Sequence, residues 1–346
     1  MDSKLKVSIV GASGYGGGEL IRLLLNHPYV ELNQITSESN VGKYAHSIHP
    51  NLRGQKLLQF VSVGDLESCD VLFLAMPHGK AQSFIEKYSK LADKIIDLSA
   101  DFRFSSKEDY KKWYGEEHLA PEFLSKFVYG LPEIHREEIK KAKYVSGVGC
   151  NATSVNIPLY PLAKEGLIDM LVLDLKVSSS EAGNKASEAS HHPERANCLR
   201  TFAPVFHRHC GEISKELGIS SDKIHFTATA LDMVRGILST SHVFLNKDVS
   251  EKDIRAIYRK YYSNEPFVRI VKDNQGIYRL PEPKILAGTN YCDIGFEKEN
   301  ETNRLVVIGA IDNLMKGASG TAVQCMNLMC GFEEKTALGF IGLHPI

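Results

Sequence analysis

The sequence is short of several things, and each shortage excludes a class of function. Neither charge is in excess: 41 Lys and Arg stand against 42 Asp and Glu, a net charge of -1. A nucleic-acid binder needs a basic surplus on one face, so DNA and RNA are not expected partners. No run of about 18 apolar residues occurs, so no segment is expected to span a membrane. The opening MDSKLKVSIVG lacks the charged lead, apolar stretch and small-residue cleavage site of a secretory signal, and a cytoplasmic location is expected. The seven cysteines, at 69, 150, 198, 210, 292, 325 and 330, are odd in number, scattered and without a C-x-x-C pair. That pattern argues against a disulfide framework and against zinc, and no metal is expected. It fits a reducing compartment, where a special Cys is more readily a nucleophile than a staple. Internal repeats and low-complexity stretches are missing as well.

What is present is enough chain for two domains, 346 residues, since single cores stop growing near about 250 to 300. The first hundred residues alternate between strand-like and helix-like segments. Leu5 to Val10, Val30 to Thr36, Asp70 to Ala75 and Lys94 to Leu98 read as strands. Gly17 to Asn26 and Lys80 to Leu91 read as helices. Such alternation predicts a parallel α/β sheet with right-handed crossovers. After about residue 150 the character changes. Residues 172–180 and 224–246 favour longer strands, 251–262 one amphipathic helix, and Leu305 to Ile311 a further strand, followed by a small-residue helix pattern from Asn313 to Met329. The expected division is a dinucleotide-binding domain over 1–149, a mixed-sheet substrate domain over 150–312, and a C-terminal segment, 313–346, returning to the first.

Chemistry-bearing motifs sit at the joints of this pattern. Gly11-Ala-Ser13-Gly14-Tyr15-Gly16-Gly17 follows a strand and opens a helix. Glycines there let the backbone approach a pyrophosphate, and the helix N-terminus offers free N–H groups to it. The second strand ends at Ser37-Glu38-Ser39, where small hydroxyl residues leave room for a ribose 2′-phosphate; Glu38 argues the other way, and Lys43 is the nearest cation. The balance favours NADP. Gly147-Val-Gly149-Cys150-Asn151-Ala-Thr153 is a small-residue corner before an expected helix, a placement that favours a reactive thiolate. Asn151 and Thr153 are candidate donors to an oxyanion or a phosphate. Pro158 and Pro161 are awkward inside that helix, so a late or irregular start is expected. His207-Arg208-His209-Cys210-Gly211-Glu212 offers a base near a thiol, but no third metal ligand with clear spacing. Arg103, Arg195 and Arg235 each lie beside small or turn-forming residues, as bidentate anion binders often do. Asn313 and Lys316, at a small-residue helix start, suit close packing against the dinucleotide.

Together GASGYGGGEL (11–20), LSADFR (98–103), YGLPE (129–133), GVGCNATS (147–154), SSEAG (179–183), HRHCGEI (207–213), VRGIL (234–238) and DNLMKGASG (312–320) resemble the N-acetyl-γ-glutamyl-phosphate reductase family, within the semialdehyde dehydrogenase superfamily. The resemblance runs in order over nearly the whole chain. SHHPER (190–195) and the ending GLHP (342–345) are similar to the branch that reduces substrates attached to the amino-group carrier protein LysW. Glu38 stands where an Arg is often seen, and Phe206, Cys210 and Gly211 also depart from the usual residues.

The resemblance implies a Rossmann-type domain joined to an α+β mixed-sheet domain for catalysis and dimerisation, as in glyceraldehyde-3-phosphate dehydrogenase. It implies NADPH as reductant, a LysW-linked aminoadipyl or glutamyl phosphate as substrate in lysine or arginine biosynthesis, and a homotetramer. Cys150 would form a thioester. His207 is the first choice for acid/base and His209 the second, with Glu212 orienting the imidazole. Arg103 and Asn151 would meet the phosphate, Arg235 the α-carboxylate and Arg195 the carrier-linked extension. Gly11, Ser13, Gly14, Tyr15, Gly16, Ser37, Glu38, Ser39, Asn313 and Lys316 would meet the cofactor.

Overall fold

A computed structural model describes residues 4–271 and 273–346; the first three residues of the polar lead lie outside them. The chain divides into two compact units, 1–148 with 318–339, and 149–317 with 340–346.

The first unit is built on seven strands: β1 (Leu5–Val10), β2 (Val30–Thr36), β3 (Phe60–Val61), β4 (Cys69–Leu74), β5 (Ala92–Asp97), β6 (Phe127–Tyr129) and β7 (Tyr144–Ser146). They lie in the order β3-β2-β1-β4-β5-β7-β6, and every pairing is parallel. Val71, Leu72, Phe73 and Leu74 of β4 are all buried, as both faces of a parallel sheet require. β1 pairs with both β2 and β4. The crossovers therefore diverge at β1, the switch point where open α/β sheets bind ligands. The Tyr15–Leu25 helix follows β1, and Gly320–Met329 packs against it.

The second unit holds β8 (Ile168–Val177), β9 (Leu199–Ala203), β10 (Ile224–Leu231), β11 (Ile237–Leu245), β12 (Val268–Ile270), β13 (Cys292–Lys298) and β14 (Arg304–Ile311). Their order is β12-β13-β14-β11-β8-β10-β9. Parallel pairings (β12 with β13, β8 with β10) mix with antiparallel ones. Strict alternation along β11 buries Ile237, Ser239, Ser241, Val243 and Leu245 and leaves the intervening residues half-exposed. One face is thus core and the other open.

The Cys150–Lys164 helix covers the core face. It begins at Cys150 itself and runs unbroken through Pro158 and Pro161, where a late or irregular start was expected. A proline removes the N–H that would serve the carbonyl four residues back. Here Ser239 Oγ donates to the Ser154 carbonyl at 2.6 Å, and the Tyr262 hydroxyl donates to that of Ile157. These are the two carbonyls that the prolines leave without an intrahelical partner. Gly309 on β14 keeps the approach open, because a Cβ there would sit 2.4 Å from the Ser154 oxygen.

The C-terminal return is shorter than the sequence pattern suggests, 318–339 rather than 313–346. Asn313 stays with the second unit because its side chain accepts from Ser178 Oγ and Gly236 N and donates to Ser180 Oγ. Met315–Ser319 is a π-helical turn, and the α-helix proper starts at Gly320.

Candidate functional site

In the first unit the loop after β1 forms a cradle. Gly11 takes φ +79°, and a Cβ on it would lie 2.4 Å from the Ala75 carbonyl. A Cβ on Gly17 would meet Ala12 Cα at 2.5 Å, so that glycine sets how closely helix and strand approach. Gly14 at the N-cap of the Tyr15–Leu25 helix brings no capping side chain, and the first-turn amides of such a helix form a natural anion site. Ser37 Oγ donates to Ser13 Oγ at 2.8 Å, joining the tip of β2 to the glycine loop. Ser13, Gly14, Tyr15, Gly16, Ser37 and Ser39 are therefore one neighbourhood. Glu38 turns aside: its carboxylate accepts from Val63 N at 2.7 Å and from Ser62 Oγ. The pull of Glu38 against a 2′-phosphate is thereby weakened, while Lys43 is held by Asn40 Oδ1 at 3.2 Å. These features fit a dinucleotide. Asn313 and Lys316, expected beside the cofactor, belong to the other unit; Lys316 is fully buried, its Nζ 5.7 Å from the Phe267 ring centre.

The corner before Cys150 is gripped by buried charge. Arg103 is buried and points its fork at the backbone, Nε donating to the Gly147 carbonyl at 3.0 Å and Nη2 to that of Val148 at 3.1 Å. This is a different use from the phosphate contact expected of it. Asp97, fully buried beside the same turn, accepts from Ser99 N and Oγ. Burial, reinforced by the charge of Asp101, pushes its carboxyl up to about 7.

In the second unit Gly149 donates its N–H to Glu212 Oε2 at 2.9 Å. Cys150 follows as the first helical residue, half-buried. At a helix N-terminus the macrodipole favours the thiolate. Gly317 lies against it: a Cβ there would be 2.7 Å from the Cys150 Cβ. Thr153, one of the candidate donors, gives its hydroxyl to the Gly149 carbonyl. Asn151 is fully buried, and both polar atoms of its carboxamide lack a protein partner. Buried polar groups are nearly always paired, so an orphaned amide beside a half-buried thiol points to a ligand that completes it.

The two histidine rings meet edge to face, 4.6 Å between centres, but have different partners. His209 is buried, with Nε2 3.8 Å from Glu212 Oε1. His207 stacks on Phe226 at 4.8 Å and accepts the His209 backbone N–H on Nδ1 at 3.1 Å, so it caps the helix that carries its neighbour. Burial, aided by Arg208, pulls the His207 pKa down to about 4. An acid/base works best with a pKa near the operating pH. His209, in contact with the carboxylate that also holds Gly149, is the better placed imidazole. Glu212 thus meets two groups: its Oε1 lies 3.8 Å from His209 Nε2, and its Oε2 anchors the corner at Gly149 N.

Arg235 is held by Asp312, Nε to Oδ2 at 2.9 Å, and Asp312 also takes the N–H groups of Gly288, Leu314 and Met315. Arg195 is half-buried, and its Nε and Nη2 have no protein partner. Glu181 is a residue the motif reading passed over; the signal was there, a carboxylate inside the SSEAG turn directly after a long strand. Among the described residues no helix is long and apolar enough to cross a membrane.

Known proteins resemble the chain along its length. Residues 6–142 match the semialdehyde dehydrogenase NAD-binding domain, and residues 150–313 the semialdehyde dehydrogenase dimerisation domain. A Deinococcus radiodurans protein, LysW-L-2-aminoadipate 6-phosphate reductase, is 47% identical over 345 residues, covering 99% of both chains. A Thermomicrobium roseum protein, provisionally given that same name, is 49% identical over 350 residues and 99% of both chains. Among solved structures, aspartate semialdehyde dehydrogenase II of Vibrio cholerae superposes with a TM-score of 0.74 at 14% identity, over 95% of this chain and 99% of that one. With two matching domains and relatives this similar along its length, the chain belongs to the semialdehyde dehydrogenase family, in the branch of the LysW-linked phosphate reductases.

Proposed function

We propose that this protein reduces a LysW-linked acyl phosphate, aminoadipyl or glutamyl, to the semialdehyde with NADPH. The observation that carries the reading is the corner at Cys150: a thiol at a helix N-terminus, its preceding amide bound by Glu212 and His209 beside that carboxylate. The full-length relatives named for LysW substrates supply the substrate class.

The Cys150 thiolate attacks the acyl carbonyl carbon; the bond to the phosphate oxygen breaks, and phosphate leaves with its electron pair. Asn151 donates to the phosphate or the acyl oxygen as negative charge builds there. When bound, the dinucleotide supplies the hydride that turns the resulting thioester into the aldehyde. His209 moves the proton at the acyl oxygen, and Cys150 leaves again as thiolate, a good leaving group near neutral pH. Glu212 and Arg103 are positioning residues: each holds backbone of the corner, and neither is assigned to substrate.

The preference for NADP over NAD rests on the hydroxyl-rich tip at Ser37 and Ser39 and on the diversion of Glu38 towards Val63. Assembly into a homo-oligomer, a tetramer by the family resemblance, is supported by the open face of the second sheet. There His242 pairs between Val172 and Val306, with Phe244 one row away and all four side chains only partly covered. The deciding experiment follows NADPH oxidation with LysW-aminoadipyl phosphate, LysW-glutamyl phosphate and free N-acetylglutamyl phosphate side by side. Turnover confined to the free acetylated substrate would overturn the carrier reading. Comparable kcat/KM for NADH and NADPH would overturn the cofactor preference.

A further inference from the structure

Glu181 of the second unit lies within electrostatic reach of two arginines, Arg195 and Arg208. Glu181 lies on the 3-10 turn Ser179–Ala182 after β8. Arg195 closes the short helix His192–Arg195, and Arg208 precedes the His209–Leu217 helix. The backbone that presents Glu181 is pinned: Ser179 N donates to the Met233 carbonyl at 2.8 Å, Ser180 N to that of Val234 at 3.2 Å, and Asn313 Nδ2 to Ser180 Oγ at 2.9 Å. Burial raises the Glu181 carboxyl to about 7, and the positive charges of Arg195 and Arg208 oppose that rise. Arg208 directly precedes His209 in the chain, and Glu212, 3.8 Å from that imidazole, holds Gly149 N.

The Nε and Nη2 of Arg195 are buried, and neither meets a protein acceptor. These two N–H groups share one edge of the guanidinium, the edge that fits a carboxylate in parallel hydrogen bonds. A charged donor edge kept dry and unpaired is costly, and a ligand that supplies the acceptors removes the cost. Glu181 is a carboxyl within electrostatic reach of Arg195. A phosphate dianion would be repelled by that carboxylate, whereas a carboxylate with an N–H on the adjacent atom satisfies both sides.

We propose that Arg195 and Glu181 form the subsite for the substrate's α-carbon. Arg195 receives the α-carboxylate on Nε and Nη2, and Glu181 accepts the N–H of the acylated α-nitrogen, while Arg208 balances the added charge. The inference rests on the acyl-phosphate reductase reading above. It moves the α-carboxylate contact from Arg235, whose guanidinium is held by Asp312, to Arg195.

The test runs the reaction backwards, with carrier-linked semialdehyde, inorganic phosphate and NADP+. Arg195→Gln raises the KM for the semialdehyde by about 10- to 100-fold and leaves the KM for phosphate within about twofold. Arg195→Lys, which keeps the charge but not the fork, falls between. An analogue without the α-carboxylate abolishes the difference between wild type and Arg195→Gln. Glu181→Leu weakens the normal semialdehyde but not an analogue methylated on the amide nitrogen. A rise in phosphate KM with unchanged semialdehyde KM would assign Arg195 to the phosphate and overturn the subsite; unchanged values for both would overturn it too. If wild type shows no turnover while it still binds NADPH and Cys150 still alkylates, the reductase reading fails. The subsite then stands or falls on calorimetry with N-acetyl-2-aminoadipate, which must bind wild type at least about tenfold more tightly than Arg195→Gln.

Discussion

Two corners of this molecule share one local design, a parallel strand running into a glycine turn and then a helix, and they end up with opposite chemistry. The turn after β1 is open. Gly11 and Gly17 permit close approach of backbone to backbone, and the helix that follows is left uncapped. The turn after β7 is gripped. Arg103 takes the carbonyls of Gly147 and Val148, and Glu212 takes the N–H of Gly149. The first arrangement leaves donors for a mobile ligand. The second removes freedom from the backbone that carries Cys150, the proposed nucleophile. Local glycine chemistry is common to both; the distinction comes from charged side chains far away in sequence.

Breaking each corner separately should give a double dissociation, and this is the largest effect expected. Cys150→Ser lowers kcat by at least about 10³-fold while NADPH still binds. Gly11→Val, which meets the Ala75 carbonyl and a positive φ, abolishes NADPH binding while iodoacetamide still alkylates Cys150. Retained turnover in the serine variant would sink the nucleophile assignment. Next in size is the histidine pair. His209→Ala costs about 10²–10⁴-fold in kcat, and His207→Ala about tenfold or less. Steady-state assays showing the reverse order would return the acid/base role to His207.

The gripped corner is probed more finely at Arg103. Arg103→Lys keeps the charge but cannot hold both carbonyls. It should slow Cys150 alkylation and lower kcat by about tenfold, with the KM for phosphate in the reverse reaction unchanged. A rise in that KM instead would put Arg103 on the phosphate after all.

The smallest effect is a pH dependence of stability. His207 has a folded pKa of about 4, below its ordinary value of 6.5. The unfolded chain therefore binds the proton first, so stability falls as pH drops from about 6.5 towards 4. Thermal melts across that window should show a shallower slope for His207→Gln than for wild type.

Parts of this were legible in the residues alone. The bounds of β1 and β2 and of the Glu251–Tyr262 helix follow from short-range periodicity, which the backbone obeys wherever local and tertiary preferences agree. The glycine loop and the cysteine corner were readable for the same reason. Pro158 and Pro161 were not: locally they argue against a helix, and Ser239 and Tyr262 overrule them by serving the freed carbonyls. The targets of Arg103, Arg235 and Asn313 were also hidden. Any Arg in a turn suits an anion, and whether the acceptor is a ligand, a carboxylate or a carbonyl depends on what folds against it.

By itself, then, the amino-acid order determined the two-part α/β plan, the glycine turn at Gly11 and the small-residue corner that carries Cys150, because glycine freedom and apolar period act over a few residues. The tertiary structure decided which histidine faces Glu212, which arginine keeps a free fork and which ones brace the backbone. Arg103 and Glu212 reach their backbone partners across tens of residues, where distance and burial select one acceptor among many that the sequence allows.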